Sequence, residues 1–128
     1  MGGPSQRGVT FIELLTVVVI IGLLALFAIP RLARNKEKTI VATMQSDLRN
    51  LATAEEGFYY NNSTYSNDPV ALNITLSQGN VLVINEATPS GWSATISNPP
   101  ITPQKCYLFH GNATPVGSAT TEGLADCS

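Results

Sequence analysis

Nineteen consecutive residues, Phe11 to Ile29 (FIELLTVVVIIGLLALFAI), carry a single charge, Glu13. As a helix such a run is long enough to cross a hydrocarbon core of about 30 Å. A chain of 128 residues has room for one modest domain beside it. An ordinary secretory signal has a shorter apolar region followed by a small-residue cleavage site. Here the run passes straight into Pro30 and a charged segment, RLARNKEK, which predicts a retained membrane-grade helix.

The residues on either side set the organisation. Met1 to Gly8 (MGGPSQRG) is short, polar and glycine-rich, and reads as a leader, residues 1–8. Beyond Pro30, apolar residues recur at Ile40, Val41, Met44, Leu48, Leu51, Ala52 and then Phe58 or Tyr59, the spacing of three, four and seven that marks one helix face. Proline inside strong helix formers bends a helix more often than it ends one. One long helix is therefore expected from about Val9 to about Tyr60, with a kink or melted stretch between Gly22 and Pro30. Its first part, residues 9–30, is the hydrophobic segment, and residues 31–60 are the amphipathic one. The turn formers Asn61 to Pro69 (NNSTYSNDP) stop it, opening a loop over residues 61–80. Val81–Ile84, Trp92–Ile96 and Cys106–Phe109 are β-branched and aromatic runs. They predict three or four antiparallel strands within residues 81–128, too few to bury both sheet faces unaided. The apolar stripe of the helix is their natural partner, an α+β architecture.

Charge and cysteine content narrow the chemistry. Seven basic against nine acidic residues give a net charge of -2, which offers no bulk attraction for nucleic acid. Cys106 and Cys127 are the only cysteines. A bridge between them would close a loop of about twenty residues and contribute roughly 3 kcal/mol, in keeping with an oxidising compartment; free thiols are the alternative. Zinc wants four ligands and His110 is the only histidine, so no metal is expected. Asp68, Glu86, Glu122 and Asp126 lack a calcium-ligand spacing. No nucleophile and base pair, phosphate loop or cofactor motif stands out, so neither enzyme activity nor a cofactor is expected. The triplets at Asn61, Asn62, Asn73 and Asn112 fit a glycosylation pattern that arises easily by chance. Phe58, Tyr59, Tyr60 and Tyr65 read as packing aromatics ahead of any stacking or conducting role.

Glu13 is the sharpest feature, because a carboxylate at membrane depth is costly without a partner. Its setting is Arg7-Gly8-Val9-Thr10-Phe11-Ile12-Glu13-Leu14-Leu15, continuing through Gly22 to Pro30. This stretch resembles the N-terminus of type IV prepilins and of the related pseudopilins of type II secretion. Ser46-Asp47-Leu48-Arg49-Asn50-Leu51 through Thr64-Tyr65 is similar to the helix end of major pilins. The resemblance implies the type IV pilin fold, a long kinked helix packed on a small antiparallel sheet with a C-terminal disulfide loop. It implies cleavage between Gly8 and Val9 by a membrane prepilin peptidase that also methylates the Val9 amine. Val9 departs from the phenylalanine usual in the family at that place. Glu13 would then pair with the Val9 amine of an adjacent subunit and set axial register, a specificity role for a buried ion pair.

These expectations describe a structural subunit: an inner-membrane precursor, handled by the pilus assembly machinery and polymerised into a surface filament for adhesion, twitching motility or DNA uptake. A secretion pseudopilin and a monomeric membrane-anchored binding module are the alternatives. Arg31, Arg34, Lys36 and Lys38 follow the apolar run while only Arg7 precedes it, and the positive-inside rule alone would leave the C-terminal part in the cytoplasm. The cysteine pair and the leader argue for export. The basic residues are expected to form a solvated or inter-subunit belt with Glu37, Asp47, Glu55 and Glu56.

Overall fold

The computed structural model describes residues 8–128; the expected leader, apart from Gly8, lies outside them. One helix, α1, runs Phe11–Asn62 and is followed by β1 (Val81–Thr88), β2 (Gly91–Ser97), β3 (Lys105–Gly111) and β4 (Asp126–Cys127). The chain divides into two compact units, the first ending at Asn35 and the second comprising Lys36–Ser128. The helix is unbroken across Gly22 and Pro30, so the chain is not melted there in this structure. Proline has no N–H to return to the carbonyl four residues earlier, which leaves Leu26 C=O without its usual helical donor.

In the second unit the helix buries Met44, Leu48, Leu51 and Glu55, one face at spacings of four, three and four. Its end is capped locally. Ser63 takes a positive φ of 56° and its N–H returns to Tyr59 C=O at 2.7 Å, the left-handed cap that ends many helices. The Asn61 and Asn62 amides donate to the Gly57 and Phe58 carbonyls, a second bond at acceptors that the helix ladder already uses.

The four strands form one antiparallel sheet in the order β1-β2-β3-β4. Alternation along the pleat turns Trp92, Ala94, Ile96, Cys106 and Leu108 toward Met44, Leu48 and Leu51, with Leu72 from the loop closing the core. The helix is thus the sheet's partner, as the strand count requires. A register shift between Ile84 and Glu86 marks a bulge in β1. The fourth strand is only two residues long, and it pairs Cys106 with Cys127, which are bridged.

A second, smaller cluster joins Phe109 of β3, with Tyr107 against it, to Ala113 and Ala119 of the segment that follows β3. Tyr107 and Phe109 alternate with the core-facing Cys106 and Leu108, so the segment after β3 covers part of the other sheet face. Gly117 has φ 57°, and a Cβ there would fall 2.4 Å from the Tyr107 ring. Only glycine allows that approach.

Candidate processing and assembly site

The first turn of α1 is held by a reciprocal pair of hydrogen bonds. Glu13 N–H donates to Thr10 Oγ1 at 3.2 Å, and Thr10 N–H donates to Glu13 Oε2 at 3.0 Å. Leu14 N–H closes the first turn on Thr10 C=O at 3.1 Å. This is a capping box, Thr-x-x-Glu, which satisfies two amides that would otherwise lack partners. The carboxylate also lies at the positive end of the helix dipole. Sequence reasoning treated Glu13 as a carboxylate wanting a positive partner and overlooked Thr10, although threonine three residues before glutamate is itself a helix-start signal.

From this cap onward the helix surface is apolar and bare. The large hydrophobic side chains between Phe11 and Ile29 are each between 50% and 80% exposed. Thr16 folds its hydroxyl back onto Ile12 C=O at 2.8 Å, so it presents little polarity. Val9 is also exposed. Gly8 and Gly22 have open space where a side chain would sit. At about 25 cal/mol per Å² of apolar surface, so long an uncovered face is tolerable only against lipid or other protein.

The second unit uses its carboxylates differently. Asp47 and Glu55 are buried, at 4% and 0% exposure, which corrects their expected place in a surface belt. Asp47 Oδ2 accepts from Ser77 N–H at 2.8 Å and from the Asn80 amide at 2.7 Å, and its Oδ1 accepts from the Ser77 hydroxyl at 2.9 Å. Asn98 extends the network by donating to Asn80 Oδ1 at 2.9 Å. Together these bonds pin the turn before β1 to the helix. Glu37 accepts from the Thr102 hydroxyl at 2.8 Å, so it too has a partner in its own unit. Asp47 and Glu55 are therefore not belt partners, whereas Glu37 is half-buried and Glu56 stays exposed.

Glu55 Oε2 accepts from Ser66 N–H at 2.9 Å, while its Oε1 is buried without a partner among the described residues. Burial pushes its carboxyl above the usual 4.5, the Ser66 bond opposes this, and Glu56 adds to the rise. Burial also raises the Tyr65 phenol, reinforced by Glu56, to which it donates a hydrogen bond. Tyr59 stacks on Tyr65 with ring centroids 4.8 Å apart, and Phe58 packs on the core. Tyr60 is 88% exposed.

The chain thus sets a capped, apolar N-terminal helix on an α+β head, and comparison with known proteins finds similar ones. Residues 3–29 match the prokaryotic N-terminal methylation motif. The chain is similar to the type IV major pilin protein PilA of Myxococcus xanthus, with 34% identity over 77 residues, 60% of this chain and 35% of that protein. It is also similar to type II secretion system core protein G of Klebsiella michiganensis, with 34% identity over 81 residues, 63% of this chain and 57% of that one. The same protein of Klebsiella pneumoniae is 42% identical over 60 residues, 47% of this chain and 43% of its own length. The matched stretches thus span between about a third and somewhat over half of these relatives.

Proposed function

We propose that this chain is a structural subunit of a type IV pilus, made as a membrane precursor and polymerised through α1 into a surface filament, with no catalytic role of its own. The observation that carries this is the contrast within one helix. Residues Met44 to Glu55 bury a face against the head's own sheet, whereas Phe11 to Ile29 have nothing over them. Lipid covers that segment before assembly, and neighbouring copies cover it afterwards. Cleavage between Gly8 and Val9 would free an ammonium one residue before the Thr10 cap. In the assembled polymer, Glu13 pairs with the methylated Val9 amine of an adjacent copy. Only one of its two oxygens is used by Thr10, so the cap and that pair are compatible. Gly22 and Pro30 are the places where the helix yields during this transfer, since glycine orders at high entropic cost and proline lacks a backbone donor.

The intact mass of protein purified from producing cells tests this reading. A chain beginning at Val9, one methyl heavier and two hydrogens lighter for the disulfide, is the expected result. A mass retaining Met1 to Gly8 would point instead to a monomeric membrane-anchored module. A second reading, a subunit of a type II secretion pseudopilus, is favoured by the larger share of core protein G that the chain matches. Filaments on the cell surface at ordinary expression select the first reading, and their absence selects the second.

A further inference from the structure

His110 sits on β3 between two carboxylates from different parts of the fold. Its Nε2 lies 3.4 Å from Glu56 Oε1 on α1, and its Nδ1 lies 3.3 Å from Glu122 Oε1 in the segment after β3. Tyr65 meets the imidazole edge-on at 5.8 Å between centroids, and Trp92, its cross-strand neighbour, lies 6.5 Å away. Glu56 Oε1 also accepts from the Tyr65 hydroxyl at 3.3 Å, and Glu122 Oε1 from Gly111 N–H at 2.7 Å. A neutral imidazole has one N–H, so it can donate to only one of the two acids and turns a lone pair toward the other. The imidazolium donates to both.

The geometry points to His110 as a proton-operated latch between the end of α1 and the segment 112–125. Protonated, it ties Glu56 and Glu122 together across β3. Neutral, it loses one of those ties whichever nitrogen keeps the hydrogen. The ionisable groups facing it are Glu56 from α1, Tyr65 from the loop with Tyr59 stacked behind it, and Glu122 from the segment itself. From β1, Glu86 fastens the same segment by accepting from Thr114 N–H at 3.0 Å. That contact does not involve the imidazole, nor does the Gly123 N–H bond to Phe109 C=O at 2.9 Å, so the segment stays attached, and its Glu122 end loosens when the neutral ring keeps its hydrogen on Nε2. The latch would make the covering over Phe109 and Ala119 firmer in acidic surroundings, and it is independent of how the chain assembles.

Trp92 is the only tryptophan, and a cationic imidazole beside an indole quenches its emission, so the chain carries its own reporter. The experiment follows emission of the full chain in detergent micelles from pH 8 to pH 5. Hydrogen exchange of peptides covering residues 112–125 is measured alongside and corrected for the intrinsic pH dependence of exchange. Emission should fall on acidification while corrected exchange slows by about two- to fivefold, the range for a half-exposed ion pair. His110→Gln should abolish both changes. Glu122→Gln should keep the quenching but remove most of the exchange difference, an outcome that still reads the latch if the histidine variant fails to fold. Quenching with no change in corrected exchange, or an equal exchange change in His110→Gln, would overturn the latch.

Discussion

Glu55→Gln should stabilise the head at neutral pH, which is unusual for a substitution at a fully buried position. Glu55 is 0% exposed, with one oxygen bonded to Ser66 N–H and the other buried without a partner. Two effects compete. The bond from Ser66 favours the charged form by about 1.5–3 kcal/mol, and loss of hydration disfavours it by more, since the carboxyl is raised from 4.5. The folded state therefore holds its proton more tightly than the unfolded one. Stability from this group is fully present below the unfolded value and falls as pH rises toward the raised folded value. Glutamine stays neutral throughout and can keep the Ser66 bond through its carbonyl oxygen. Its amide then stands where the unpartnered oxygen was, so part of the gain is lost. The net gain should be about 1–2 kcal/mol at pH 7.5, the scale of one unpartnered buried polar group, or roughly 5–10 °C in Tm for a domain of this size. Near pH 4 both carboxyl forms are neutral and the gain should vanish. Near-UV circular dichroism melts of the full chain in micelles, for both variants between pH 4 and pH 8, measure this directly. Other acids shift the two curves alike, so their difference isolates Glu55. A Gln variant less stable at pH 7.5, or one with the same increment at pH 4, would refute the reasoning.

Removing the cap and removing the charge should give different results at the helix start. Thr10→Ala should destabilise the first turn by about 1 kcal/mol yet still yield filaments, counted by electron microscopy, while Glu13→Ala should leave membrane-inserted subunit and few or no filaments. Asp47→Ala strands Ser77 and Asn80 donors and should cost about 2–4 kcal/mol in a thermal melt, with faster exchange of the turn before β1. Replacing both cysteines by serine releases a two-residue strand that has little else to hold it; a loss of about 3 kcal/mol in denaturant midpoint analysis is expected for a loop of this length. Gly117→Ala should lower Tm by forcing Tyr107 off its contact, and Tyr107→Ala should relieve most of that clash when the two are combined, leaving only the cost of positive φ.

The parts of this fold readable in the sequence are those written as period or composition. The apolar run, the helix face through Met44, Leu48 and Leu51, and the strands at Val81, Trp92 and Cys106 each repeat a local pattern with one physical cause. The helix expected to end near Tyr60 ends at Asn62, because the asparagines continue it and the left-handed turn at Ser63 stops it. Contacts that join distant residues were not legible. Nothing local distinguishes Asp47 and Glu55, which are buried, from Glu56 beside them, which is exposed; that depends on where Ser66, Ser77 and Asn80 fall after the loop closes. His110 looked like a histidine without company because its two acids are 54 positions before it and 12 after it. The covering of the outer sheet face by Ala113 and Ala119 was likewise invisible, as that segment has no period of its own.

The cap changes what Glu13 implies about assembly. A carboxylate with no partner in the precursor would be under constant pressure to become protonated or to leave the apolar layer. With Thr10 N–H bonded to it and the helix dipole behind it, Glu13 is already partly stabilised as an anion at the very start of the helix. Its orientation is fixed by the same bonds, since the Glu13 and Thr10 amides both belong to one rigid turn. Under the proposed cleavage after Gly8, the cut would not need to create the order of the site; it would add a positive charge beside a negative one already held by the Thr10 bond. A pair whose acid is held in place loses less side-chain freedom when it forms between subunits. If that is the role of the cap, Thr10→Ala should slow filament growth at limiting subunit concentration while leaving the final filament mass at high concentration close to that of the parent, whereas Glu13→Gln, which keeps the bond but not the charge, should lower both.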